Sequence, residues 1–252
     1  MKILAIDGNS ILNRAFYGIR ALSTKDGRFT NGIYGFLTIL MKLRDEVNPD
    51  GVAIAFDLKA PTFRHKMYDG YKANRHGMPP ELAQQLPVLK ELLVALGYKI
   101  VTLEGFEADD ILGTVAGMCS SEDQCFIATG DRDSFQLIRE NVTVLLPHTK
   151  MGTTTTEIYT PARLMEEYGV EPLQMIDIKA LQGDTSDCIP GVAGIGQKTA
   201  GDLIQKFGSI QNIYDNIDTL EIKETLKTKL QNDKEKAFLS YTLGKIINDA
   251  PI

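Results

Sequence analysis

Three short apolar runs in this chain each end in an aspartate, and no other feature constrains the fold as strongly. The runs span residues 3–7, 52–57 and 126–131. Short apolar runs bounded by glycine or polar residues are typical of buried strands. Longer segments with helical periodicity lie between them, at 35–47 and 81–96. This alternation predicts an α/β fold with a mostly parallel sheet flanked by helices.

The aspartates that end these runs are expected to lie close together, because the carboxyl ends of parallel strands meet at one edge of the sheet. Further acids also stand beside turn or strand-end signals. The complete set is Asp7, Asp57, Glu107, Asp109, Asp110, Asp131, Asp133, Asp184 and Asp187. Taken singly, each is more typical of a helix cap than of a catalytic group. Glu107 and Asp110 share a helix face, whereas Asp109 lies elsewhere on the turn and need not reach the same ion.

A pocket of converging carboxylates must recruit cations or protons. Two carboxylates ~4 Å apart repel by about 4 kcal/mol at an effective dielectric of 20. Because the candidates offer only oxygen ligands, they favour Mg²⁺ or Mn²⁺ over zinc. Two such ions ~3.5–4 Å apart are a common arrangement for phosphodiester cleavage. The pattern therefore indicates two-metal hydrolysis of a nucleic acid.

The net charge of −6 does not exclude a nucleic-acid partner. Setting the nine acids aside leaves 24 acidic residues against 27 Lys and Arg, a balance of +3. No apolar run approaches the ~20 residues of a membrane span, and the N-terminus lacks the apolar core of a signal peptide. Three widely spaced cysteines fit reduced thiols better than a disulfide framework. These features predict a cytoplasmic protein without a membrane partner.

The segment 63–75 combines four basic residues with three aromatic ones and follows directly after Asp57. Basic side chains can hold phosphates, and tyrosine rings can stack on unpaired bases. Arg64, Tyr71, Lys72 and Arg75 are therefore candidate DNA contacts. The alternative, a solvated amphipathic segment with its tyrosines packed inward, is the more common explanation of such a segment alone.

A second candidate interface is the glycine-rich stretch 191–200. It is not a Walker A motif, because Gln197 separates the lysine from the preceding glycine. Its backbone N–H groups and the start of the next helix suit a DNA phosphate. A tight helix–helix turn without a ligand is the alternative. The candidate residues are Gly191, Gly194, Gly196, Lys198 and Thr199.

The remaining organisation predicts two parts. A strand near 100–103 and a β-hairpin over 143–160 complete the sheet. From residue 161 onward the chain is predicted to be helical. We expect a nuclease core over 1–160, with an arch around 61–90, and a helical DNA-binding region over 161–252, packed together as one compact unit.

Seven ordered motifs resemble the flap endonuclease family, which includes the 5′-nuclease domain of bacterial DNA polymerase I. They are DGNS at 7–10, FD at 56–57, FRHKMYDGYKANR at 63–75, EADD at 107–110, TGDRD at 129–133, GDTSD at 183–187 and GVAGIGQKTA at 191–200. The resemblance implies a PIN-like sheet, a helical arch and a C-terminal helix–three-turn–helix element. It also implies 5′→3′ exonuclease and 5′-flap endonuclease activity in primer removal and repair, with two Mg²⁺ ions that Mn²⁺ can replace.

The resemblance assigns roles by position. All nine acids match the family's metal-site acids, with Asp184 and Asp187 as the second-metal pair. Lys72 and Arg75 match catalytic arch residues that contact the scissile phosphate. Tyr71 matches a base-stacking neighbour, and Arg14 matches a basic, DNA-binding residue after the first strand. The 191–196 hairpin matches one that also holds K⁺ in relatives. Cys188 departs from the pattern, which usually has Asn there, and affects only local hydrogen bonding.

The expected partner is DNA with a 5′ flap or a 5′ end at a single-strand/double-strand junction, bound by a monomer. Polymerase and proofreading domains are absent from the sequence, so either a part of a longer polymerase polypeptide or a free-standing paralogue fits. Two other functions stay open. One is a non-catalytic DNA-junction binding module, which the complete acid set disfavours. The other is a PIN-type ribonuclease, which would leave the 191–199 hairpin unexplained.

Overall fold

The computed structural model describes residues 1–75, 77–150 and 153–252. Their elements, in chain order, are β1 (Lys2–Asp7), α1 (Gly8–Gly18), α2 (Asn31–Val47), β2 (Gly51–Ala55), α3 (Phe63–Met67), α4 (Pro80–Ala83), α5 (Gln85–Ala95), β3 (Lys99–Val101), α6 (Ala108–Met118), β4 (Gln124–Ala128), a 3₁₀ helix (Arg132–Leu137), β5 (Val142–Lys150), β6 (Thr153–Tyr159), α7 (Pro161–Tyr168), α8 (Gln174–Gln182), α9 (Gln197–Phe207), α10 (Ile210–Asp215), α11 (Glu224–Asn232) and α12 (Lys234–Gly244). His76, within the predicted arch, and residues 151–152, at the turn of the predicted hairpin, lie outside the described residues.

The strands form one sheet in the order β3-β2-β1-β4-β5-β6. All neighbours are parallel except β5 and β6, which form the predicted antiparallel hairpin. β1 lies between β2 and β4, so that Ile6 pairs with Ile54 on one side and with Ala128 on the other. The predicted α/β class is therefore confirmed. The three apolar runs that end in aspartate occupy adjacent central strands, and their carboxyl ends meet at one edge.

One core of the first part is built from the strands together with α1, α2, α4 and α5. In α2 the buried residues Phe36, Ile39, Leu40, Leu43 and Val47 recur with helical spacing and form its inward face. Fully burying one such side chain contributes roughly 1.5–3 kcal/mol. α6 also packs against the sheet, beside β1, β2 and β4.

The helix predicted over 81–96 is divided into α4 and α5 around Gln84. Pro87 supplies the physical reason, because it has no N–H to donate to the carbonyl of Ala83. The predicted strand at 100–103 is shorter and begins one residue earlier, at Lys99–Val101.

Residue contacts divide the chain into two units. The first comprises residues 1–60, 77–160 and 246–252, and the second comprises 61–76 and 161–245. The second unit has its own apolar core, in which residues of α8, α9, α10 and α12 are buried together. The segment 61–76 therefore clusters with the helical region. The predicted division at residue 160, and the packing of both parts as one unit, stay predictions.

The described helices include none that is both long enough and apolar enough to traverse a bilayer.

Candidate active site

Asp7 lies at the centre of the candidate site. It is both the last residue of β1 and the N-cap of α1. Its Oδ1 accepts a hydrogen bond from the Ser10 backbone N–H at 2.9 Å. Its Oδ2 accepts one from the Thr129 hydroxyl at 3.0 Å. Gly8 is required here, since a Cβ at this position would lie 2.5 Å from the ring of Phe56. The strand-to-helix turn thus buries the Asp7 carboxylate at the sheet edge.

The turn after β4 carries Asp131 and Asp133. The buried Thr129 hydroxyl accepts the Asp131 N–H at 3.1 Å, and Asp131 Oδ1 accepts the Asp133 N–H at 2.9 Å. Gly130, just before Asp131, donates its N–H to Ser10 Oγ and accepts from Arg14, both at 2.9 Å. The turn is therefore bound to α1 through both backbone polar groups of one glycine.

Asp57 lies just beyond β2 and is exposed. Its Oδ1 accepts the Ala108 N–H, at the start of α6, at 2.8 Å. Its own N–H is donated to Asn9 Oδ1 at 3.1 Å. The Asp57 carboxylate therefore lies at the N-terminus of α6, where the first-turn N–H groups favour a negative charge.

Asp109 and Asp110 follow one another in α6 but have different surroundings. Asp110 is fully buried and accepts the Glu107 N–H at 3.0 Å and the Ile247 N–H at 2.9 Å. Glu107 caps α6 and completes a capping box with Asp110. Oδ1 of Asp109 is buried and has no hydrogen-bond partner among the described residues. Asp110 thus holds backbone in place, while Asp109 offers an oxygen that no described protein group occupies.

Electrostatic interactions show that five acids of the first unit act on each other. Burial and the charges of Asp57 and Asp131 together raise the pKa of Asp7 to about 7, against the hydrogen bonds from Ser10 and Thr129, which lower it. Burial also raises the pKa of Asp109 well above its ordinary value, and the nearby charges of Asp7, Asp131, Asp133 and Asp57 add to the increase. Buried groups that repel each other in this way are stabilised by a bound cation. The unoccupied Asp109 oxygen and the oxygen-only donor set fit a divalent metal ion.

In the second unit, Asp184 and Asp187 lie on the loop after α8. Lys179, itself buried, donates to Asp184 Oδ2 at 2.8 Å. Burial is the largest influence on Asp184 and would raise its pKa, but hydrogen bonds from Lys179 and Ser186 outweigh it and lower the pKa to about 2. Asp184 is therefore held in its ionised form.

Asp187 binds the two predicted arch cations. Arg75 donates to its Oδ1, and Lys72 Nζ lies 3.8 Å from its Oδ2. The Lys72 N–H is also donated to the Asp187 carbonyl at 2.8 Å, and Lys72 adopts a left-handed backbone with φ of +54°. Within this unit, the groups predicted to contact metal and phosphate neutralise one another.

Two predicted DNA contacts, Arg64 and Tyr71, are buried. Arg64 is buried and donates to the carbonyls of Leu243 and Lys245 at 2.9 and 2.7 Å, at the C-terminal end of α12. The last carbonyls of a helix have no partner within it, so Arg64 closes the helix end, and its DNA contact stays a prediction. Tyr71 is only 4% exposed and packs in an apolar cluster with Ile189 and Leu243. The inward-packed alternative fits this ring, and base stacking by Tyr71 stays a prediction.

The glycine hairpin connects α8 with α9 through a bridge between Asp184 and Ile189. Gly191 has φ of +60°, and a Cβ there would lie 2.3 Å from the Gly183 nitrogen. The Gly194 carbonyl accepts from Lys229 Nζ at 3.1 Å. Gly196 is the N-cap of α9, so Lys198 and Thr199 stand in its first turn, with Lys198 exposed. The hairpin therefore presents a helix N-terminus and an exposed lysine to solvent, as a phosphate contact requires.

Several supporting residues escaped prediction from the sequence. Ser10 and Thr129 join Asp7 to the 129–133 turn, and Asn9 holds Asp57. A signal was available, because positions 7, 10 and 14 are spaced as one face of a helix that starts at the first strand end. His148, which contacts Arg14 at 2.9 Å, carries no such signal.

Two protein-family models together match residues 2–252 of the chain. Residues 2–169 match the 5′-3′ exonuclease N-terminal resolvase-like domain. Residues 170–252 match the 5′-3′ exonuclease C-terminal SAM fold. Similar curated proteins include DNA polymerase I of Bacillus subtilis, 42% identical over 252 residues, and of Caldicellulosiruptor bescii, 42% identical over 253 residues. These alignments cover 100% of this chain but 28% and 30% of the relatives, so the chain spans less than a third of their length.

Solved structures share the fold at lower identity. A bacteriophage T5 D15 flap endonuclease in a complex with DNA and metal ions is 22% identical, with a TM-score of 0.77 over 100% of this chain and 90% of that one. A T5 5′-exonuclease with bound zinc is 22% identical, with a TM-score of 0.78 over 97% and 89%. The catalytic core of Rad2 with DNA substrate is 19% identical, with a TM-score of 0.60 over 96% and 77%. The chain therefore belongs to the 5′-3′ exonuclease family, in the form found in DNA polymerase I, and its acidic cluster fits a metal site.

Proposed function

We propose that this chain hydrolyses DNA phosphodiester bonds at a 5′ end or at a 5′ flap beside a single-strand/double-strand junction, with two divalent ions. The observation that carries this proposal is that Asp109 of α6 lies near the acids at the ends of β1, β2 and β4, and that its Oδ1 has no partner among the described residues. Complexes of the T5 enzymes with metal ions and DNA support the same function. Mg²⁺ is the proposed ion and Mn²⁺ its substitute, because the donors are hard oxygens.

The acidic residues are proposed to bind the metal ions. Asp7, Asp57, Asp109, Asp131 and Asp133 would hold the ions at the sheet edge. Bound divalent ions lower the pKa of a water molecule and neutralise charge on a phosphate. Glu107, Asp110, Asp184 and Asp187 remain proposed ligands on the resemblance alone, and Asp110 is the weakest of these because both its oxygens already accept backbone hydrogen bonds.

The basic groups would bind the substrate. Lys72 and Arg75 are proposed to stabilise the charge of the scissile phosphate, once released from Asp187. The hairpin would hold a duplex phosphate through Lys198, Thr199 and the start of α9. The potassium ion at this hairpin stays a prediction, since the Gly194 carbonyl already binds the Lys229 ammonium. The proposed reaction does not use it.

A cleavage assay with three substrates tests the proposal. Labelled 5′-flap DNA, nicked duplex DNA and a linear RNA of the flap sequence are incubated with Mg²⁺, with Mn²⁺ and with chelator. We expect metal-dependent cleavage of both DNAs and little of the RNA. Binding of the flap without cleavage would favour a junction-binding module, and preferential cleavage of RNA would favour a ribonuclease. Asp131→Asn is the matched inactive control, expected to bind the flap but not to cut it.

A further inference from the structure

Arg14 joins the turn of the acidic cluster to a histidine on the outer hairpin. Its Nη2 donates to the Gly130 carbonyl at 2.9 Å, and its Nη1 lies 2.9 Å from Nδ1 of His148. Helix α1, which carries Arg14, packs closely on β5, which carries His148. A Cβ on Gly18 of α1 would lie 3.0 Å from the Thr149 Cβ of β5. The guanidinium is thus held between two partners from different parts of the sheet.

The chemistry of this contact fixes the state of His148. A guanidinium can only donate, so Nδ1 must accept and cannot carry a proton. In the neutral ring the proton is therefore on Nε2, which is buried and lies 3.3 Å from Oε1 of Glu157. A protonated ring would place an N–H against an N–H and one cation against another. Only the neutral ring supports Arg14.

Arg14 in turn supports the acids. The carbonyl it binds belongs to the residue before Asp131, and the same peptide turn carries Asp133 two residues later. The charged groups that act on Arg14 and His148 come from the hairpin and from the turn after β4. Glu157 of β6 faces His148, and Asp131, Glu157 and Arg132 act on Arg14.

We propose that His148 is a positioning residue of the nuclease, which holds Arg14 against Gly130 and thereby fixes the turn carrying Asp131 and Asp133. The inference rests on the proposed function, because its main readout is DNA cleavage. In this role His148 acts through Arg14 and not on the substrate. Its loss should reduce kcat and weaken metal binding, while KM for DNA changes little.

Two substitutions separate this role from general stability. His148→Asn places an amide oxygen near the position of Nδ1, so it retains an acceptor for Arg14. His148→Ala removes the acceptor. Thr155→Ala, at the position paired with His148 on β6, is the control for disturbance of the hairpin. Cleavage of flap DNA, Mg²⁺ titration by thermal shift, and melting temperature are measured for each protein.

We expect a kcat roughly tenfold lower for His148→Ala, and values near wild type for His148→Asn and Thr155→Ala. A wild-type kcat in His148→Ala, or equal losses in the Asn and Ala variants, would overturn the proposal.

The Mg²⁺ titration distinguishes a failure of the positioning role from a failure of the proposed function. If wild type cuts no DNA, the proposed function fails. The positioning role then stands if His148→Ala needs a higher Mg²⁺ concentration than wild type and His148→Asn, and falls if the three titrations coincide.

Discussion

Asp109 and Asp110 are adjacent in α6, yet Asp110 binds the backbone of Glu107 and Ile247 while Oδ1 of Asp109 binds no described residue. The helix turns the two carboxylates in different directions, one into the protein's own hydrogen bonds and one into the acidic cluster. This difference predicts opposite consequences for two substitutions that look alike in sequence.

Asp109→Asn should abolish the stabilisation that Mg²⁺ gives, because it removes a buried charge from the cluster. For wild type, an ion at 100 times its dissociation constant adds about 2.7 kcal/mol. Asp110→Asn should keep that metal response but lower the free energy of unfolding by about 1–3 kcal/mol with or without metal, since one backbone N–H loses its acceptor. Thermal unfolding with Mg²⁺ and with chelator measures both. Similar behaviour of the two variants would contradict the assignment.

The stability of the metal-free protein should fall as the pH rises. The pKa of Asp7 is about 7 in the folded protein, above its ordinary value of 3.8. The folded state therefore retains a proton that the unfolded chain releases, and stability decreases between about pH 4 and pH 7 and then levels off. Urea unfolding in chelator at several pH values measures this slope. Asp7→Asn should flatten it, and a wild-type slope of the opposite sign would refute proton retention by the buried Asp7 carboxyl as the cause.

Lys179 and Asp184 should depend on each other for stability. Lys179 is buried, and removing Asp184 leaves its charge without the 2.8 Å partner. Asp184→Asn should therefore lower the free energy of unfolding by about 3 kcal/mol, and adding Lys179→Met should recover most of that loss. A double-mutant cycle by urea unfolding gives the coupling. Additive effects would show that the pair is not coupled. Because the pKa of Asp184 is lowered to about 2, its contribution should be lost only below about pH 4.

The glycines of the hairpin should differ sharply in their tolerance of alanine. Gly191→Ala meets both a left-handed backbone and a Cβ position 2.3 Å from the Gly183 nitrogen, so we expect a loss of roughly 2 kcal/mol or more. Gly196→Ala has φ of −98° and an open Cβ position, and should be close to neutral for folding. Chemical denaturation compares the two variants. Equal stabilities would contradict the described hairpin geometry.

Arg64 and Lys198 should separate folding from DNA binding. Arg64→Met should lower thermal stability, because it leaves two carbonyls at the end of α12 without their donor. Lys198→Met should leave stability unchanged and weaken flap binding, with the slope of log affinity against log salt reduced by roughly 0.9. Equilibrium binding at several salt concentrations measures the second effect. An unaltered slope would remove Lys198 from the interface.

The sequence predicts the sheet and the strand-end acids well, because both follow from local pattern. The apolar runs specify buried strands, and parallel pairing brings their ends together at Asp7, Asp57 and Asp131. The pattern also predicts the terminal hairpin and the helical second half. These features depend on neighbours a few residues apart, which a sequence displays directly.

What the sequence does not show is the packing of side chains whose partners are distant in the chain. Arg64 binds carbonyls 179 and 181 residues away, and Tyr71 packs on Ile189 and Leu243, so the basic segment alone could not show which side faces inward. The distinction between Asp109 and Asp110 depends on the residue at which α6 begins and on the return of Ile247 to that helix. His148 reaches Arg14 only because β5 extends past its parallel partner into the hairpin.

The central position of β1 has one more consequence. The backbone ladder holds neighbouring strands ~4.8 Å apart, so the acids at their ends cannot spread when ions leave. When ions leave, the acids therefore stay in place and take up protons, as the pKa of about 7 at Asp7 indicates. Mg²⁺ binding near neutral pH should therefore release these protons to the buffer. The measured heat of Mg²⁺ binding should then vary with the ionisation enthalpy of the buffer.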